Sequence, residues 1–203
     1  MSGIEDIMRT APVIPVLVID DAQHARPLAE ALVEGGLRVL EVTLRTSAAL
    51  EAIREMKQVE GAIVGAGTVT NPAELEAALD AGSEFIVSPG LTEPLGKAAV
   101  ASGVPFLPGI ASAGDIMRGL DLGLDRFKFF PATAAGGIPA LRALAAPFGQ
   151  VRFCPTGGIS EETAPHWLAL EAVLCVGGSW VVPKGQPDFA AVAETARRAS
   201  RIG

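Results

Sequence analysis

The sequence has few of the residues on which several common kinds of site depend. Its 203 residues include no tyrosine, two tryptophans, two histidines and two cysteines. A disulfide framework needs more cysteines, so we expect a reducing compartment, the cytoplasm by default, and interpret Cys154 and Cys175 as small core residues. A histidine-rich metal site is disfavoured, because His24 and His166 read as surface or packing residues on helices.

Long apolar runs and positive charge are also scarce. The longest apolar candidate, 11–19, contains Pro12 and Pro15 and falls short of the ~18 residues of a membrane span. The first ten residues carry acids where a secretory signal has basic residues, so we expect no such signal. The net charge of −7 argues against a nucleic-acid partner, which selects a basic surface.

Short apolar runs, by contrast, recur along the whole chain. Apolar residues make up 49% of it, which is enough for one large core. Eight runs rich in Val, Ile, Leu or Phe are typical of buried strands. The predicted strands are 13–18, 38–43, 62–66, 84–87, 104–107, 126–130, 150–154 and 172–176.

Segments with helical spacing lie between these strands. The segment 71–81, for example, begins with an Asn cap followed by Pro72 at the first helical position, and a glycine follows its end. A further short helix is predicted within 1–10. The other predicted helices are 21–34, 47–57, 71–81, 92–102, 112–122, 138–146, 160–169 and 188–202.

This eightfold alternation of strand and helix predicts the fold class. Right-handed crossovers require a parallel sheet with helices outside it, and eight such units close naturally into a barrel. We therefore expect a single α/β domain over 1–203, a (β/α)₈ TIM barrel with a short N-terminal helix. An open doubly wound sheet is the alternative. Reactive side chains of a barrel lie at the C-terminal ends of its strands.

One lysine stands inside a predicted strand. Alternation in 126–130 turns Phe127 and Phe129 toward the helices and Lys128 into the barrel. A buried ammonium is costly unless it is paired or its pKa falls, and a desolvated lysine amine suits Schiff-base formation. A purely structural ion pair is the alternative. The other three lysines are interpreted as solvated charges on helices or in a loop: Lys57, Lys97 and Lys184.

The second predicted strand supplies a partner for this lysine. Its aliphatic residues suit the helix layer, which leaves Glu41, Thr43 and Arg45 on the inner face or over the mouth. A carboxylate beside Lys128 could transfer protons, and an arginine at the rim could bind a carboxylate bidentately. A Glu41–Lys128 ion pair without chemistry remains the alternative.

Two glycine pairs follow the last two predicted strands. Gly157 and Gly158 precede a helix, and Gly177 and Gly178 precede Ser179. Glycines let backbone N–H groups approach an anion, helix N-termini favour negative charge, and barrels often bind phosphate with these two loops. Either pair alone could be only a turn, but together they predict a phosphate site.

Weaker signals occur at other strand ends. The run 65–70 begins like a dinucleotide fingerprint but lacks its third glycine, so we reject that interpretation. Thr68 either contacts a substrate or starts a turn, and the segment 88–90 with Pro89 shapes the rim or is only a turn. Asp20 and Asp21 are interpreted as helix-capping residues in preference to metal ligands.

Six sequence motifs contain the candidate residues described above. Together they resemble the family of 2-dehydro-3-deoxy-6-phosphogluconate (KDPG) and 4-hydroxy-2-oxoglutarate aldolases, which contains the class I aldolase of the Entner–Doudoroff pathway. The likeness covers almost the whole chain and is weakest at its two ends. The runs are EVTLRT at 41–46, GAGTV at 65–69, SPGLT at 88–92, FKFFPA at 127–132, RFCPTGGI at 152–159 and VGGSW at 176–180.

The resemblance implies a homotrimeric barrel that needs no metal or cofactor. Lys128 would form the Schiff base and Glu41 would be the general acid and base. Arg45 and Thr68 would hold the pyruvate end, and Pro89 would line the pocket. The residues implied to bind the phosphate and the sugar hydroxyls are Gly157, Gly158, Gly178 and Ser179, with Thr156 nearest the hydroxyls.

The implied activity is retro-aldol cleavage of the six-carbon phosphosugar acid KDPG to pyruvate and glyceraldehyde 3-phosphate. Three alternatives stay open at this point. The same chemistry could act mainly on 4-hydroxy-2-oxoglutarate. A phosphosugar isomerase or epimerase on this barrel would use Glu41 without covalent lysine chemistry. A barrel that binds a phosphorylated metabolite without turnover is the last.

Overall fold

Strands and helices alternate along the chain in the computed structural model, which describes residues 3–183 and 185–202. Lys184, predicted to be a solvated loop charge, lies outside the described residues. The strands are β1 Val13–Leu17, β2 Val39–Thr43, β3 Ile63–Gly67, β4 Ile86–Val87, β5 Phe106–Leu107, β6 Gly109–Ile110, β7 Arg126–Phe129, β8 Arg152–Pro155 and β9 Val176–Gly178. The helices are α1 Ile4–Met8, α2 Ala25–Glu34, α3 Ala49–Met56, α4 Pro72–Asp80, α5 Glu93–Ser102, α6 Ala113–Asp121, α7 Gly137–Ala145, α8 Ala164–Leu168 and α9 Phe189–Ala199, with a 3₁₀ turn at Ala22–His24 before α2.

The strands pair in parallel throughout, which confirms the predicted α/β class. They form a six-stranded sheet in the order β5-β4-β3-β2-β1-β9 and a three-stranded sheet in the order β6-β7-β8, and not one continuous eight-stranded ring as predicted. Pro108 alone separates β5 from β6, and it interrupts the ladder because proline has no N–H to donate. At the other boundary, isolated bridges join Phe153 to Val173 and Thr156 to Gly177.

All eight predicted strands differ from the observed ones at one or both ends, and two of these differences bear on the site. The fifth predicted strand stops at 107, whereas the chain continues as β6 to Ile110. The eighth was placed at 172–176, whereas β9 is Val176–Gly178 and contains both glycines. Gly177 pairs with Ile14 and Gly178 with Pro15 of β1, so tertiary pairing overrides the low strand propensity of glycine. Gly178 is therefore a buried strand residue and Ser179 is the first residue beyond the strand.

Helix α8 is also shorter than the predicted helix 160–169. It begins only at Ala164, with Pro165 in its first turn, a position that proline tolerates because its missing N–H has no intrahelical partner there.

The predicted cap of α4 is confirmed, since the Asn71 side chain accepts a hydrogen bond from the Glu74 N–H at 3.0 Å. Among the described residues, no helix has the length and apolar character of a membrane span.

Two apolar layers lie on opposite sides of the strands. The outer layer packs strand residues such as Val42 and Phe127 against the helices. The inner cluster holds Ile14, Val39 and Leu107 together with Ile7 and Met8 of α1. Because α1 packs against residues near the strand starts, apolar side chains fill that end and the carboxyl ends are left for polar ones.

Candidate active site

Lys128 and Glu41 form a buried pair on the inner face of the strands. The Lys128 Nζ donates a hydrogen bond to Glu41 Oε1 at 2.9 Å, and the two side chains are only 7% and 4% exposed. Their strand neighbours Phe127 and Val42 lie in the outer layer, so the orientation predicted from alternation is confirmed. An amine in contact with a carboxylate can pass a proton to it, which is the first requirement of a lysine nucleophile.

Phe130 flanks the same amine, and the sequence reasoning did not single it out. Its ring centroid lies 5.4 Å from the Lys128 Nζ, within the range of a cation–π contact. Alternation assigned only Phe127 and Phe129 of this run, both to the helix layer. The signal that could have found Phe130 is its position just after the strand, where the chain turns over the carboxyl end.

Hydrogen bonds to β1 fix the loop that carries Arg45. The Thr43 hydroxyl donates to the Leu17 carbonyl at 2.8 Å, and the Thr46 hydroxyl donates to the Ile19 carbonyl. Arg45 stands between these two anchors and is exposed. The structure therefore places Arg45 at the rim beyond β2, and its binding of a substrate carboxylate stays a prediction.

Thr68 follows β3 with φ at 61°. This left-handed conformation is unusual for a β-branched residue, and such strain costs of order 1–3 kcal/mol. Val69 donates its N–H to the Val87 carbonyl at 3.2 Å, which anchors the turn to β4. A strained threonine at a strand end favours the predicted substrate contact over a simple turn, for which glycine would suffice.

Pro89 lies on the exposed rim beyond β4, and its carbonyl packs on the strand segment that follows Pro108. A Cβ added at Gly109 would lie 2.2 Å from the Pro89 oxygen. The close approach of these two backbones depends on glycine at 109, and it sets the position of Pro89 relative to β6.

The glycine pair after β8 has a left-handed backbone conformation at both residues. Gly157 and Gly158 have φ of 104° and 75°, which side-chain-bearing residues rarely adopt. The loop after β7 packs on them: Ala132 donates its N–H to the Thr156 carbonyl at 2.8 Å and Thr133 donates to the Gly157 carbonyl at 3.1 Å. Because β8 pairs with β7, these glycines lie one strand from Lys128.

Thr156 joins the last two strands at this edge. It is buried and bridged to Gly177, where an added Cβ would lie 2.2 Å from the Thr156 Oγ1. Gly178 packs against the Trp180 ring, since a Cβ added at Gly178 would lie 2.5 Å from that ring. Ser179, the next residue, is exposed. Thr156, Gly178 and Ser179 thus gather at the carboxyl ends of β8 and β9.

The two cysteines are buried free thiols, as the sequence predicts. Cys154 is opposite Lys128 in the strand register. Its hydrogen bond with Cys175 raises the pKa of the Cys175 thiol well above its ordinary range, and burial and the negative charge of Glu41 act in the same direction. Cys175 stays protonated, which is the unreactive form of a thiol.

The remaining candidates are structural. Asp21 caps the 3₁₀ turn by accepting from the Gln23 N–H at 2.9 Å, and His24 packs edge-on to Phe189 with ring centroids 6.3 Å apart. In the chain as described, no three His, Cys, Asp or Glu side chains group as metal ligands would.

Comparison with protein families and with known sequences finds aldolase relatives of this chain. The family model described as KDPG and KHG aldolase matches residues 4–195. A 2-dehydro-3-deoxy-phosphogluconate aldolase of Zymomonas mobilis is 62% identical over 200 residues, covering 98% of this chain and 96% of that protein.

Solved structures agree as well. The 2-keto-3-deoxy-6-phosphogluconate aldolase of Zymomonas mobilis with 3-phosphoglycerate has a TM-score of 0.97 at 62% identity, covering 98% of this chain and 96% of that one. The KDPG aldolase of Legionella pneumophila, with pyruvate captured as a covalent carbinolamine, has a TM-score of 0.95 at 43% identity and covers 98% of both chains. The chain therefore belongs to the KDPG and KHG aldolase family.

Proposed function

We propose that this protein is a class I aldolase that cleaves KDPG to pyruvate and glyceraldehyde 3-phosphate. The observation that carries the proposal is the buried contact of 2.9 Å between the Lys128 amine and the Glu41 carboxylate, in a chain of the KDPG and KHG aldolase family. Family membership favours aldol cleavage over the isomerase, epimerase and non-catalytic alternatives.

The first half of the reaction builds the electron sink. Glu41 accepts a proton from Lys128, and the neutral amine adds to the C2 ketone of the substrate to give a carbinolamine. Glu41 then returns a proton to the C2 hydroxyl, which leaves as water. The product is an iminium whose positive charge withdraws electrons from the C3–C4 bond.

The second half breaks that bond. Glu41 removes the C4 hydroxyl proton, the C3–C4 electron pair moves into the iminium, and glyceraldehyde 3-phosphate leaves an enamine of pyruvate on Lys128. Return of a proton to C3 and hydrolysis of the imine release pyruvate and restore the amine. Each step uses the same two buried side chains, so their contact is the centre of the mechanism.

Residues at the rim bind the ends of the substrate. Arg45 and Thr68 hold the C1 carboxylate and Pro89 lines the pocket. Binding energy from the distant phosphate positions the reacting bond without taking part in the chemistry. The residues that bind the phosphate and the neighbouring hydroxyls are Thr156, Gly157, Gly158, Gly178 and Ser179.

Borohydride trapping tests the covalent step. The protein is incubated with pyruvate and sodium borohydride, digested and mapped by mass spectrometry. We expect a reduced pyruvyl adduct on Lys128 and none on Lys97, whose exposed amine pairs with Glu93 at 2.6 Å and serves as an internal control. Absence of the adduct from Lys128 would overturn the class I mechanism.

Substrate choice is tested by rate. Pyruvate release from KDPG and from 4-hydroxy-2-oxoglutarate is followed with lactate dehydrogenase. We expect the larger kcat/KM for KDPG, because only that substrate carries the phosphate that the glycine segments would bind. Equal values would contradict a phosphate site there.

The finer architecture is part of the same proposal. We propose that β5, Pro108 and β6 act as one strand and that the bridges beside β9 complete an eight-stranded barrel, in a single domain over 1–203. The family resemblance supports a cytoplasmic homotrimer without metal or cofactor. Light scattering should then give three times the chain mass of 20.8 kDa, and EDTA should leave the cleavage rate unchanged.

A further inference from the structure

We infer that Gly67, the last residue of β3, is a positioning residue for Glu41, an inference that rests on the proposed acid–base role of that carboxylate. A Cβ added at Gly67 would lie 2.3 Å from Glu41 Oε1 and less than 3 Å from Glu41 Cγ and Cδ. The nearest of these atoms, Oε1, is also the one that accepts from the Lys128 Nζ. The carboxylate therefore occupies the space that any side chain at 67 would fill.

The strand register explains this contact. Glu41 pairs with Gly65 and Thr43 pairs with Gly67 between β2 and β3. The Glu41 side chain thus leans two residues toward the carboxyl end and crosses onto the neighbouring strand, where it lies against the bare backbone of Gly67. A side chain at 67 would force the carboxylate to another position, away from the amine.

Space, and not backbone conformation, makes glycine necessary at this position. Gly67 does not have a positive φ, so its backbone accepts alanine, which is a better strand residue than glycine. The atoms that a methyl group would displace belong to the flexible Glu41 side chain and not to backbone. Gly67→Ala should therefore still fold, with its largest cost in catalysis and a lower melting temperature because the displaced carboxylate leaves the buried Lys128 amine without its partner.

Gly65 offers a matched control on the same face of the same strand. The three atoms nearest to a Cβ added there all belong to the Phe85 ring, the closest at 2.5 Å, and that ring is fully buried. Gly65→Ala should lower the melting temperature through Phe85 and leave kcat within about threefold of the wild type, because its main clash is with a core ring.

The test compares Gly67→Ala with the wild type and with Glu41→Gln. For Gly67→Ala we expect kcat to fall about 10²-fold, in the range of a lost acid–base catalyst, with KM for KDPG within about threefold of the wild type. Exchange of the pyruvate methyl protons with D₂O should fall in parallel, because that exchange also depends on proton transfer at C3.

A double variant separates positioning from a general structural effect. If Gly67 acts only through Glu41, Gly67→Ala combined with Glu41→Gln should be no slower than Glu41→Gln alone, whereas independent sites give multiplicative losses. Multiplicative losses, full kcat in Gly67→Ala, or failure of Gly67→Ala to fold would each overturn the inference. An inactive wild-type protein would instead overturn the proposed function.

Discussion

At the level of single residues, burial distinguishes Lys128 from the two other described lysines. Lys57 and Lys97 also pair with carboxylates, but their side chains are 29% and 65% exposed, against 7% for Lys128. An exposed ion pair contributes about 0–1 kcal/mol, whereas breaking a buried pair costs about 3–5 kcal/mol. Glu41 therefore stabilises the buried Lys128 ammonium. We propose that Glu41 also transfers protons in the reaction of this lysine.

Glu41→Gln separates these two roles. The amide oxygen can still accept a hydrogen bond from Lys128, but the amide cannot take up a proton, so kcat should fall about 10²–10⁴-fold. Glu41→Ala leaves the buried ammonium without a partner and should lower the free energy of unfolding by about 3–5 kcal/mol. Initial rates and urea unfolding measure both effects, and a Glu41→Gln enzyme with wild-type kcat would contradict the acid–base role.

Cys175 makes the free energy of unfolding depend on pH in the alkaline range. Its folded-state pKa lies above 9.0, the ordinary thiol value, chiefly because of the hydrogen bond with Cys154. Its contribution to stability is complete below pH 9.0 and falls as pH rises above that value, because the unfolded chain then ionises while the folded chain does not. No tyrosine titrates in the same window.

Cys175→Ala should therefore flatten the decline of the unfolding free energy between about pH 9 and 10.5, where the unfolded thiol ionises. Urea unfolding at a series of pH values measures the slope, which is independent of any cost of the cavity at neutral pH. Identical slopes for the variant and the wild type would show that the folded thiol ionises normally.

At the level of elements, close packing of helices on strands depends on small residues. Gly119 of α6 faces the ring of Phe127 on β7, and a Cβ added there would lie 2.3 Å from that fully buried ring. Two effects oppose each other in Gly119→Ala. Helix propensity favours alanine by about 1 kcal/mol, while overpacking costs about 1–3 kcal/mol.

We expect overpacking to win, so Gly119→Ala should lower the melting temperature. Gly114→Ala on the same helix is the control, because the nearest atoms to its added Cβ are 3.8 Å away; it should raise stability by up to about 1 kcal/mol. Thermal unfolding of both variants compares the two contributions. A more stable Gly119→Ala protein would mean that α6 can move away from β7.

At the level of the whole molecule, contacts distant in sequence tie the first helix to the strands. Arg126 of β7 donates from Nε to Glu5 Oε2 of α1 at 3.0 Å, across 121 residues. This hydrogen bond is the main cause that lowers the pKa of the Glu5 carboxyl below 4.5. The stabilisation is present above pH 4.5 and is lost as pH falls through the folded-state pKa of Glu5.

Glu5→Gln should thus reduce stability most at neutral pH, and the difference between the wild-type and variant free energies of unfolding should shrink as pH falls below 4.5. Glu93→Gln is the control, since Lys97 lowers the pKa of that carboxyl through an exposed ion pair within one helix. A constant difference between wild type and Glu5→Gln at all pH values would show that the charge of Glu5 is unimportant. Chemical unfolding at pH 3, 5 and 7 is sufficient.

Residue order was enough to orient the two central side chains. A strand alternates its faces with a period of two, so Phe127 and Phe129 on one face placed Lys128 on the other, and the aliphatic residues of β2 did the same for Glu41. The helix–strand alternation likewise predicted a parallel α/β fold. The face of a strand or helix on which a residue lies depends on neighbours one to four residues apart, and the fold class follows from the repeat of such segments along the chain.

Contacts between distant strands needed coordinates. Glu41 and Lys128 are 87 residues apart and lie on strands of different sheets, so they meet only in the folded chain. Gly177 and Gly178 were predicted to form a loop but join β9 through pairing with β1. Nothing near Gly67 in the sequence indicates that a carboxylate from β2 lies on it. Such contacts depend on strand register and side-chain packing, which form only when the whole chain folds.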